Sequence, residues 1–396
     1  MDDRITLPVR KDLCRFRVYQ AFANAMLQPR VRSGTIWGSS RPLGIMLNLR
    51  IRRFLLPIAI VSAVLALFAF QLRSRLMSPP SMADVRALAE KAPIVFRGRV
   101  AKVSSFGVKP RHTIALDSIA KFEVDRSYRG KARTEASLYF VNGGLSAGMN
   151  GHYCIDFQPD AYWLVFAVEK DGRLELFDDC EGALAISRLL GADRNDGDWL
   201  PQMEADFLAG LSDSSSAARV LSIQRLGGLR LPSSRSELHR VIETGDKDES
   251  KWAIYAALRT GDVTVLPTVK ELLAAGDHDW PERAISLELQ HVTDGTAVPD
   301  LIAILDSAPG DLTRTSVLIA LGENLKDPRA VPSLAAHLSD PDPYARYDAL
   351  DGLKNITKEK ACMLPPEWRE EDVEPQISRC KVWWEQVGKS RDWKQN

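Results

Sequence analysis

The side chains that could do chemistry in this 396-residue sequence are dispersed along the chain. Two runs of adjacent carboxylates, Asp178-Asp179 and Glu370-Glu371-Asp372, could share a proton, but such neighbours usually form a solvated face. The six histidines stand apart, and there is no nucleophile elbow, Walker loop, H-E-x-x-H or EF-hand pattern. The sequence therefore predicts a non-catalytic protein without a cofactor or a metal.

The cysteines offer a different chemistry, that of disulfide bonds. Cys14 stands alone, whereas Cys154, Cys180, Cys362 and Cys380 make an even number in the later part of the chain. Four cysteines allow three pairings, of which the local ones are favoured. A zinc site is the alternative, but there is no C-x-x-C and no nearby pair of histidines at ligand spacing. We expect disulfides and hence an oxidising compartment.

The stretch from Phe54 to Leu72 determines that compartment. It contains no charged residue, is flanked by arginines, and as a helix would be roughly 28 Å long, close to the ~30 Å hydrocarbon core of a bilayer. A cleaved signal peptide is the alternative, but the run is longer than its usual apolar region and is followed by two arginines. A retained transmembrane anchor is expected.

Basic residues set the predicted orientation of this anchor. Residues 1–53 carry eleven Lys and Arg against three Asp, which favours a cytoplasmic N-terminus. Met46 begins a short basic segment that leads directly into the apolar run, as the start of an exported protein does, so the true start of the protein could be Met46. The alternative is that residues 1–45 are a basic cytoplasmic tail that contacts anionic lipid. The remainder is then periplasmic, on a single-pass protein of the inner (cytoplasmic) membrane.

The predicted exported part is acidic. Residues 76–396 carry 39 basic and 49 acidic side chains. Binding to phosphate backbones needs a basic stripe, so nucleic acid is not expected as a partner.

Residues 81–191 are predicted to form a small β-domain. A helical segment, Ser81 to Ala92, precedes strands that alternate apolar and polar residues. Glu169 to Gly172 is predicted to be a hairpin turn between the last two strands. Five strands with one helix suit a small closed barrel; the predicted strands are Ile94–Val103, Ile119–Tyr128, Ala136–Val141, Ala161–Val168 and Arg173–Phe177.

Three short motifs in this domain carry a resemblance. They are Val95-Phe-Arg-Gly-Arg-Val100, Phe122-Glu-Val-Asp-Arg-Ser-Tyr128-Arg-Gly-Lys131 and Tyr162-Trp-Leu-Val-Phe-Ala167, and a cysteine-containing stretch follows them. The succession resembles bacterial netrin-like domains, which share an OB-type barrel with tissue inhibitors of metalloproteinases. The resemblance fits a disulfide between Cys154 and Cys180. Inhibition does not carry over, because the animal inhibitors use an N-terminal cysteine that this domain lacks. The barrel is either a spacer or a binding module.

An internal repeat follows a linker and helix at 192–214. Prolines recur at 32 to 35 residue spacings, each followed six positions later by a leucine, and aspartate stands five positions before the last three prolines. Aspartate can cap a helix, proline is tolerated in its first turn, and leucine marks the apolar face. The sequence predicts helical hairpins over 215–357, with Pro232, Asp262, Pro267, Asp294, Pro299, Asp327 and Pro332 as their structural residues.

The best copy, Asp327-Pro-Arg-Ala-Val-Pro332, resembles the short HEAT repeats of bacterial proteins, including the type named for phycobilisome lyases. The resemblance implies an all-α solenoid of stacked hairpins whose second helices line a concave surface. Tetratricopeptide repeats have a similar period, but their tryptophan and tyrosine pattern is absent.

Residues 358–396 are predicted to cap the solenoid. Val373 to Val387 would form a returning helix with Val382, Trp383 and Trp384 on or near its apolar side, fastened by a disulfide between Cys362 and Cys380. A carbohydrate platform is the alternative for the tryptophans.

The predicted fold class is therefore multidomain: a transmembrane helix, a small OB-like, netrin-like β-barrel and a HEAT-repeat solenoid. Repeat proteins usually bind other proteins, so we expect a membrane-tethered, non-catalytic scaffold with another protein as its partner. The alternative is an enzyme or enzyme inhibitor, lyase-like or protease-inhibitor-like, with the solenoid as a substrate platform.

Overall fold

The computed structural model describes residues 83–105, 118–131, 134–140, 155–178, 181–194, 197–276, 279–365 and 372–393. Residues 78–396 form one compact unit. The predicted anchor, Phe54 to Leu72, lies outside the described residues, as do Cys14, Cys154 and Cys180. Within the described ranges, no helix has the length and apolarity needed to cross a membrane.

The first part of the unit is a helix followed by strands whose ends lie within two residues of the five predicted ones. Helix α1 is capped by Asp84, whose side chain accepts a hydrogen bond from the Ala87 N–H. A short sixth strand was not predicted. The elements are α1 Val85–Lys91, β1 Ile94–Ser105, β2 Ser118–Arg129, β3 Glu135–Phe140, β4 Tyr162–Lys170, β5 Arg173–Leu176 and β6 Ala183–Ala185.

Five strands close into a barrel. The order is β1-β2-β3-β5-β4, and β4 pairs back with β1 from Ile94↔Ala167 to Arg99↔Tyr162. All pairings are antiparallel except that of β3 with β5. Strand β6 adds to β4 beside β5. The expected small closed barrel is confirmed.

A tight hairpin joins β4 to β5. Asp171 and Gly172 have φ of 51° and 73°, the positive values that a tight two-residue hairpin turn requires. Lys170 and Arg173 pair across this turn.

Strand β4 is buried on both sides. Val165 and Ala167 point into the barrel, where Phe96, Phe122 and Phe157 form edge-to-face contacts. Leu164 and Phe166 point outward into the core formed by the helices. Successive side chains of a strand alternate sides, so an unbroken apolar run is what a strand between two cores needs.

The second part is a series of helical hairpins. Each consists of a first helix, usually preceded by a 3₁₀ turn, and a second helix. The first helices are α2 Trp199–Gly210, α4 Arg235–Thr244, α6 Leu266–Leu273, α8 Val298–Ser307 and α10 Val331–Ala336; the second helices are α3 Ser216–Leu229, α5 Lys247–Arg259, α7 Trp280–Leu289, α9 Asp311–Ile319 and α11 Pro343–Thr357.

The leucines that mark the repeat all enter the core. Leu238, Leu273, Leu305 and Leu338 are at most 1% exposed. Each lies on a first helix or in the 3₁₀ turn that follows it, on the side facing the second helices. The helical HEAT-like region expected from the period is present.

Barrel and helices share one core. Val95, Leu164 and Leu184 of the barrel lie in the same buried cluster as Met203 of α2 and Leu226 of α3. Helix α2, which lies in the segment 192–214, therefore packs against both β2 of the barrel and α3 of its own hairpin. Helix α12, Val373–Gln386, closes the other end beyond α11.

Candidate interaction surface and its polar supports

The repeat aspartates and prolines lie where each first helix begins. Asp262, Asp294 and Asp327 each accept a hydrogen bond from the backbone N–H two residues later, at 3.1, 2.9 and 2.9 Å. Pro267, Pro299 and Pro332 lie in the first turn of α6, α8 and α10, and Pro232 opens the 3₁₀ turn before α4. These residues start helices; their geometry offers no reactive group.

The same hydrogen bonds perturb the three carboxyl groups. The Thr296 hydroxyl and N–H lower the pKa of Asp294, and the Arg329 side chain lowers the pKa of Asp327. Burial alone would raise the pKa of Asp262, but hydrogen bonds from Thr264 and His239 outweigh it and leave the pKa lowered. All three carboxylates are therefore stabilised in their charged form by the fold.

Ion pairs and a hydrogen bond link each second helix to the next second helix, to the turn before it or, at the end of the stack, to α12. We call these pairs the ionic ladder. Between α7 and α9 the rung is a hydrogen bond of 2.8 Å between Ser286 and Thr313 hydroxyls. The charged rungs are Arg219–Glu249 at 2.6 Å, Lys251–Glu282 at 2.6 Å, Arg314–Asp340 at 2.8 Å and Arg346–Glu374 at 2.9 Å.

The ladder is partly buried, so removal of one partner leaves a charge away from water. The Lys251 ammonium is 4% exposed, yet its pKa is raised, because hydrogen bonds to Asp279 and Glu282 outweigh the lowering effect of burial. The ladder aligns successive second helices and thereby fixes the surface they present.

A second polar cluster lies near the C-terminal ends of the second helices. Arg259 Nη1 lies 3.2 Å from the Tyr255 hydroxyl, and its Nε lies 3.9 Å from Glu288 Oε2. Arg225 Nε donates to the Ala185 carbonyl at 3.3 Å. Burial lowers the pKa of Arg225 to about 10 and raises those of Glu288 and Tyr255.

Shifted pKa values of this kind often mark active sites, but here the groups are closed to ligands. Arg225, Arg259 and Glu288 are 3%, 6% and 7% exposed, and Tyr255 is 2% exposed. The cluster therefore supports the junction of barrel and repeats.

The junction itself centres on Asp206 of α2, whose side chain is fully buried. Its carboxylate accepts hydrogen bonds from the guanidinium of Arg126, from the Tyr128 hydroxyl at 2.5 Å and from the Gly191 N–H at 2.8 Å. Burial, and then the negative charge of Asp206, raise the pKa of Tyr128 well above its usual value. The sequence analysis did not predict the hydrogen bonds of Asp206. The sequence hints at a buried carboxylate here only because Asp206 is adjacent to Phe207 on the buried side of a helix.

The surface open to a partner lies on the later second helices. Helix α11 buries Ala345, Ala349 and Leu353, whereas its other side leaves polar and aromatic residues half-buried or exposed. By contrast, every residue of α5 from Lys251 to the helix end is buried. We define the open face by Leu312, Thr315 and Ile319 of α9 and Tyr344, Tyr347, Asp351, Lys354 and Asn355 of α11.

The open face combines an exposed aromatic ring with an ordered polar network. Tyr344 is 56% exposed. Asp351 accepts hydrogen bonds from the Lys354 ammonium and from Asn355 Nδ2, the latter at 2.8 Å. Such a surface suits recognition of another protein, where aromatic anchors and ordered polar groups act together.

A groove lies between first helices α6 and α8. Its volume is about 460 Å³, it is partly open to solvent, and it is lined by Pro267, Lys270, Glu271, Ala274, Asp300, Ala303 and Ser307. Small-molecule sites bury most of their ligand, which a groove open to solvent does not do. Among the described residues, no group of histidine, cysteine and acidic side chains is placed to hold a metal ion.

The C-terminal end is closed by a disulfide. The Sγ atoms of Cys362 and Cys380 lie 1.99 Å apart, which confirms this pairing. Trp383 is 8% exposed and packs inward, but the expectation for Val382 is wrong, because it is 54% exposed. On a helix, position 383 lies near the side of Cys380 and position 382 nearly opposite, at about 100° per residue.

The tryptophans of this end are engaged within the chain. The Arg391 guanidinium lies 5.7 Å from the Trp383 ring and 5.8 Å from the Trp393 ring, and the Trp393 indole donates to the Gly388 carbonyl at 2.8 Å. For Trp383, this contact and its burial favour packing over the carbohydrate platform.

The family comparison agrees with the helical architecture of the repeats. A sequence model of the family described as HEAT repeats matches residues 292–364, which begin just after α7 and end just after α11. The solved complex of CpcE and CpcF of phycocyanin lyase from Nostoc sp. PCC7120 matches with 21% sequence identity and a TM-score of 0.32. That match covers 40% of this chain and 66% of the other, slightly under two thirds of its length. No curated protein matches this sequence significantly.

Proposed function

We propose that the chain is a membrane-tethered scaffold that binds another protein through the open face. The observation that carries this proposal is the contrast between a helical stack fixed by the ionic ladder and a side of α11 that remains accessible. A pre-ordered surface loses little conformational freedom on binding, which favours affinity. HEAT repeats over the same residues support a role in protein binding.

The tether in this proposal is Phe54 to Leu72. Its length, its lack of charge and its flanking arginines support a retained anchor with the N-terminus in the cytoplasm. The buried disulfide between Cys362 and Cys380 supports an oxidising environment for the repeats, and hence a periplasmic location.

For the barrel, we propose an OB-type fold of the netrin-like kind. The strand order β1-β2-β3-β5-β4 with closure onto β1 supports it, together with the helix that precedes β1. In this proposal the barrel is a packing module, because its β1 and β4 surface is already covered by helices of the same chain.

Photo-cross-linking in intact cells tests the binding surface. A photoreactive amino acid replaces Tyr344 on the open face in the test variant. In the control variant it replaces Arg240 on the first helix α4, whose exposed side chain pairs with Glu237 at 2.8 Å. We expect an adduct with one discrete protein from position 344 and none from position 240. Equal adducts from both positions, or none from position 344, would contradict the proposed surface.

A fusion after Asn396 tests the orientation independently. A reporter that is active only in the periplasm should be active there. Activity confined to a cytoplasmic reporter at the same position would contradict the tether orientation but leave the binding surface open to its own test.

A further inference from the structure

Most apolar side chains of residues 83–92, which lead into the barrel, are buried against the two parts of the molecule. Val85, Ala89 and Ala92 are fully buried, Ala83 is 3% exposed and Leu88 is 9% exposed. Helix α1 within this segment is only seven residues long. A helix of that length is not stable by itself in water, so tertiary contacts hold it in place.

On the side of the repeats, the segment is held at its start. Arg259 Nη1 of α5 donates to the Ala83 carbonyl at 3.3 Å, and Arg230, just after α3, pairs with Asp84 at 3.2 Å. Gly228 of α3 faces the segment at a place with no room for a side chain. A β-carbon there would lie 2.5 Å from Val85 Cγ2 and 2.9 Å from the Ala83 carbonyl oxygen.

On the side of the barrel, the segment is held at its end. The Arg129 guanidinium at the end of β2 donates to the carbonyls of Ala89 and Glu90, the latter at 2.6 Å. These are carbonyls of the last helical turn, which lack partners within the helix and favour a cation. One short segment is thus bonded to the repeats at one end and to the barrel at the other.

We propose that residues 83–92 are a strap that locks the barrel to the first repeats. The start of the strap is bonded to α5 and to the residue just after α3, and its end is bonded to β2. The locking does not depend on the proposed membrane tether.

Hydrogen exchange of the full-length protein in detergent tests the strap. Gly228→Ala obstructs it from the repeats and Arg129→Ala frees it from the barrel. Arg86→Ala is the matched control, because Arg86 lies on α1 but is exposed and pairs with Glu90 at 2.8 Å. We expect amides of residues 85–92 to exchange at least about tenfold faster in the first two variants and at the unchanged rate in the control.

The direction of the change in hydrogen exchange distinguishes two effects of Gly228→Ala. Alanine favours a helix over glycine, so without the contact to Val85 the change would only make α3 more protected. Unchanged exchange of residues 85–92 in either Gly228→Ala or Arg129→Ala would overturn the strap. Should Gly228→Ala fail to accumulate as folded protein, Val85→Ala tests the same contact from the other side with the same expectation. No partner or membrane is needed, so failure here is distinct from failure of the proposed scaffold.

Discussion

Gly322 and Gly352 meet where the second helices of two consecutive repeats come together. A β-carbon at position 322 would lie 2.4 Å from the Cα of Gly352, and one at position 352 would lie 3.0 Å from the Cα of Gly322. Gly322 follows α9 in a π-helical segment, Ala320–Leu325, and Gly352 lies within α11. Because neither residue has a side chain, the backbones of the two segments that carry or adjoin the open face are in direct contact.

This contact predicts that Gly322→Ala destabilises the protein. Alanine would gain up to about 1 kcal/mol from helix propensity, but the overlap with the Gly352 backbone should cost about 1 to 3 kcal/mol or more. The expected net result is a lower urea midpoint with an unchanged slope. Gly295→Ala is the control, since a β-carbon there meets no atom within 4 Å. An equal or higher midpoint for Gly322→Ala would show that the helices can separate without cost.

The repeat could be predicted from the sequence because its signals are local. Asp327 accepts a hydrogen bond from the N–H of Arg329, only two residues later, and Leu338 lies just after α10, the helix that follows. Residues this close in sequence give a spacing that can be recognised in the chain. The hairpin at Asp171-Gly172 is local in the same sense. Patterns of this kind follow from backbone geometry alone.

The barrel–helix junction could not be predicted for the opposite reason. Arg126 and Asp206 are 80 residues apart, and nothing in either neighbourhood identifies the other as its partner. Their pairing depends on how α2 packs against β2, which is a property of the assembled core. For the open face, the sequence predicted only that second helices would form a surface. It did not predict which second helices stay accessible, because the burial of α5 depends on the elements that pack over it.

The two acidic partners of Arg126 give a second prediction with its own control. Asp206 is fully buried and Asp193 is 81% exposed, yet both accept hydrogen bonds from the same guanidinium. Asp206→Ala removes the acceptor for Arg126, Tyr128 and the Gly191 N–H, so we expect a loss of about 3 to 5 kcal/mol. Asp193→Ala removes a pair open to water and should cost about 1 kcal/mol or less. Chemical denaturation of both variants measures this, and similar losses would mean that the junction does not depend on the buried carboxylate.

The repeat aspartates give a third prediction, about acid stability. The pKa values of Asp294 and Asp327 are lowered in the folded chain, so the stability they contribute is present above their unfolded pKa of about 3.9 and is lost as pH falls through the lower folded values. Asparagine at both positions would not titrate but could still cap, since asparagine caps about as well as aspartate. The Asp294→Asn, Asp327→Asn double variant should therefore lose less stability than the wild type between about pH 4 and pH 2.

Urea midpoints measured across that pH range test the difference. Asp300→Asn is the control, because it removes one carboxylate from the first turn of α8 without touching the two caps. An acid loss in the double variant as steep as in the wild type would show that these carboxylates do not contribute to acid sensitivity.

The disulfide at the end of the stack gives the last prediction. Cys362 and Cys380 are fully buried and fasten α12 to the turn after α11. Other contacts support the same segment: Gln376 Nε2 donates to the Ala361 carbonyl, and Arg391 pairs with Glu359 at 2.8 Å. Cys380→Ser should therefore loosen residues 372–393 without unfolding the chain. The loop between the cysteines spans 18 residues, for which chain entropy gives about 3 kcal/mol.

Because a solenoid is held by contacts between neighbouring repeats, this loss should remain at its end. Hydrogen exchange should accelerate in residues 372–393, less in α11, and not in the barrel. Ser378→Ala on the exposed side of α12 is the matched control, since it removes only a hydroxyl bonded to the Glu374 carbonyl at 3.1 Å. Acceleration that reached the barrel strands as strongly as α12 would contradict the local role of the disulfide, because barrel and cap would then be opening as one cooperative unit.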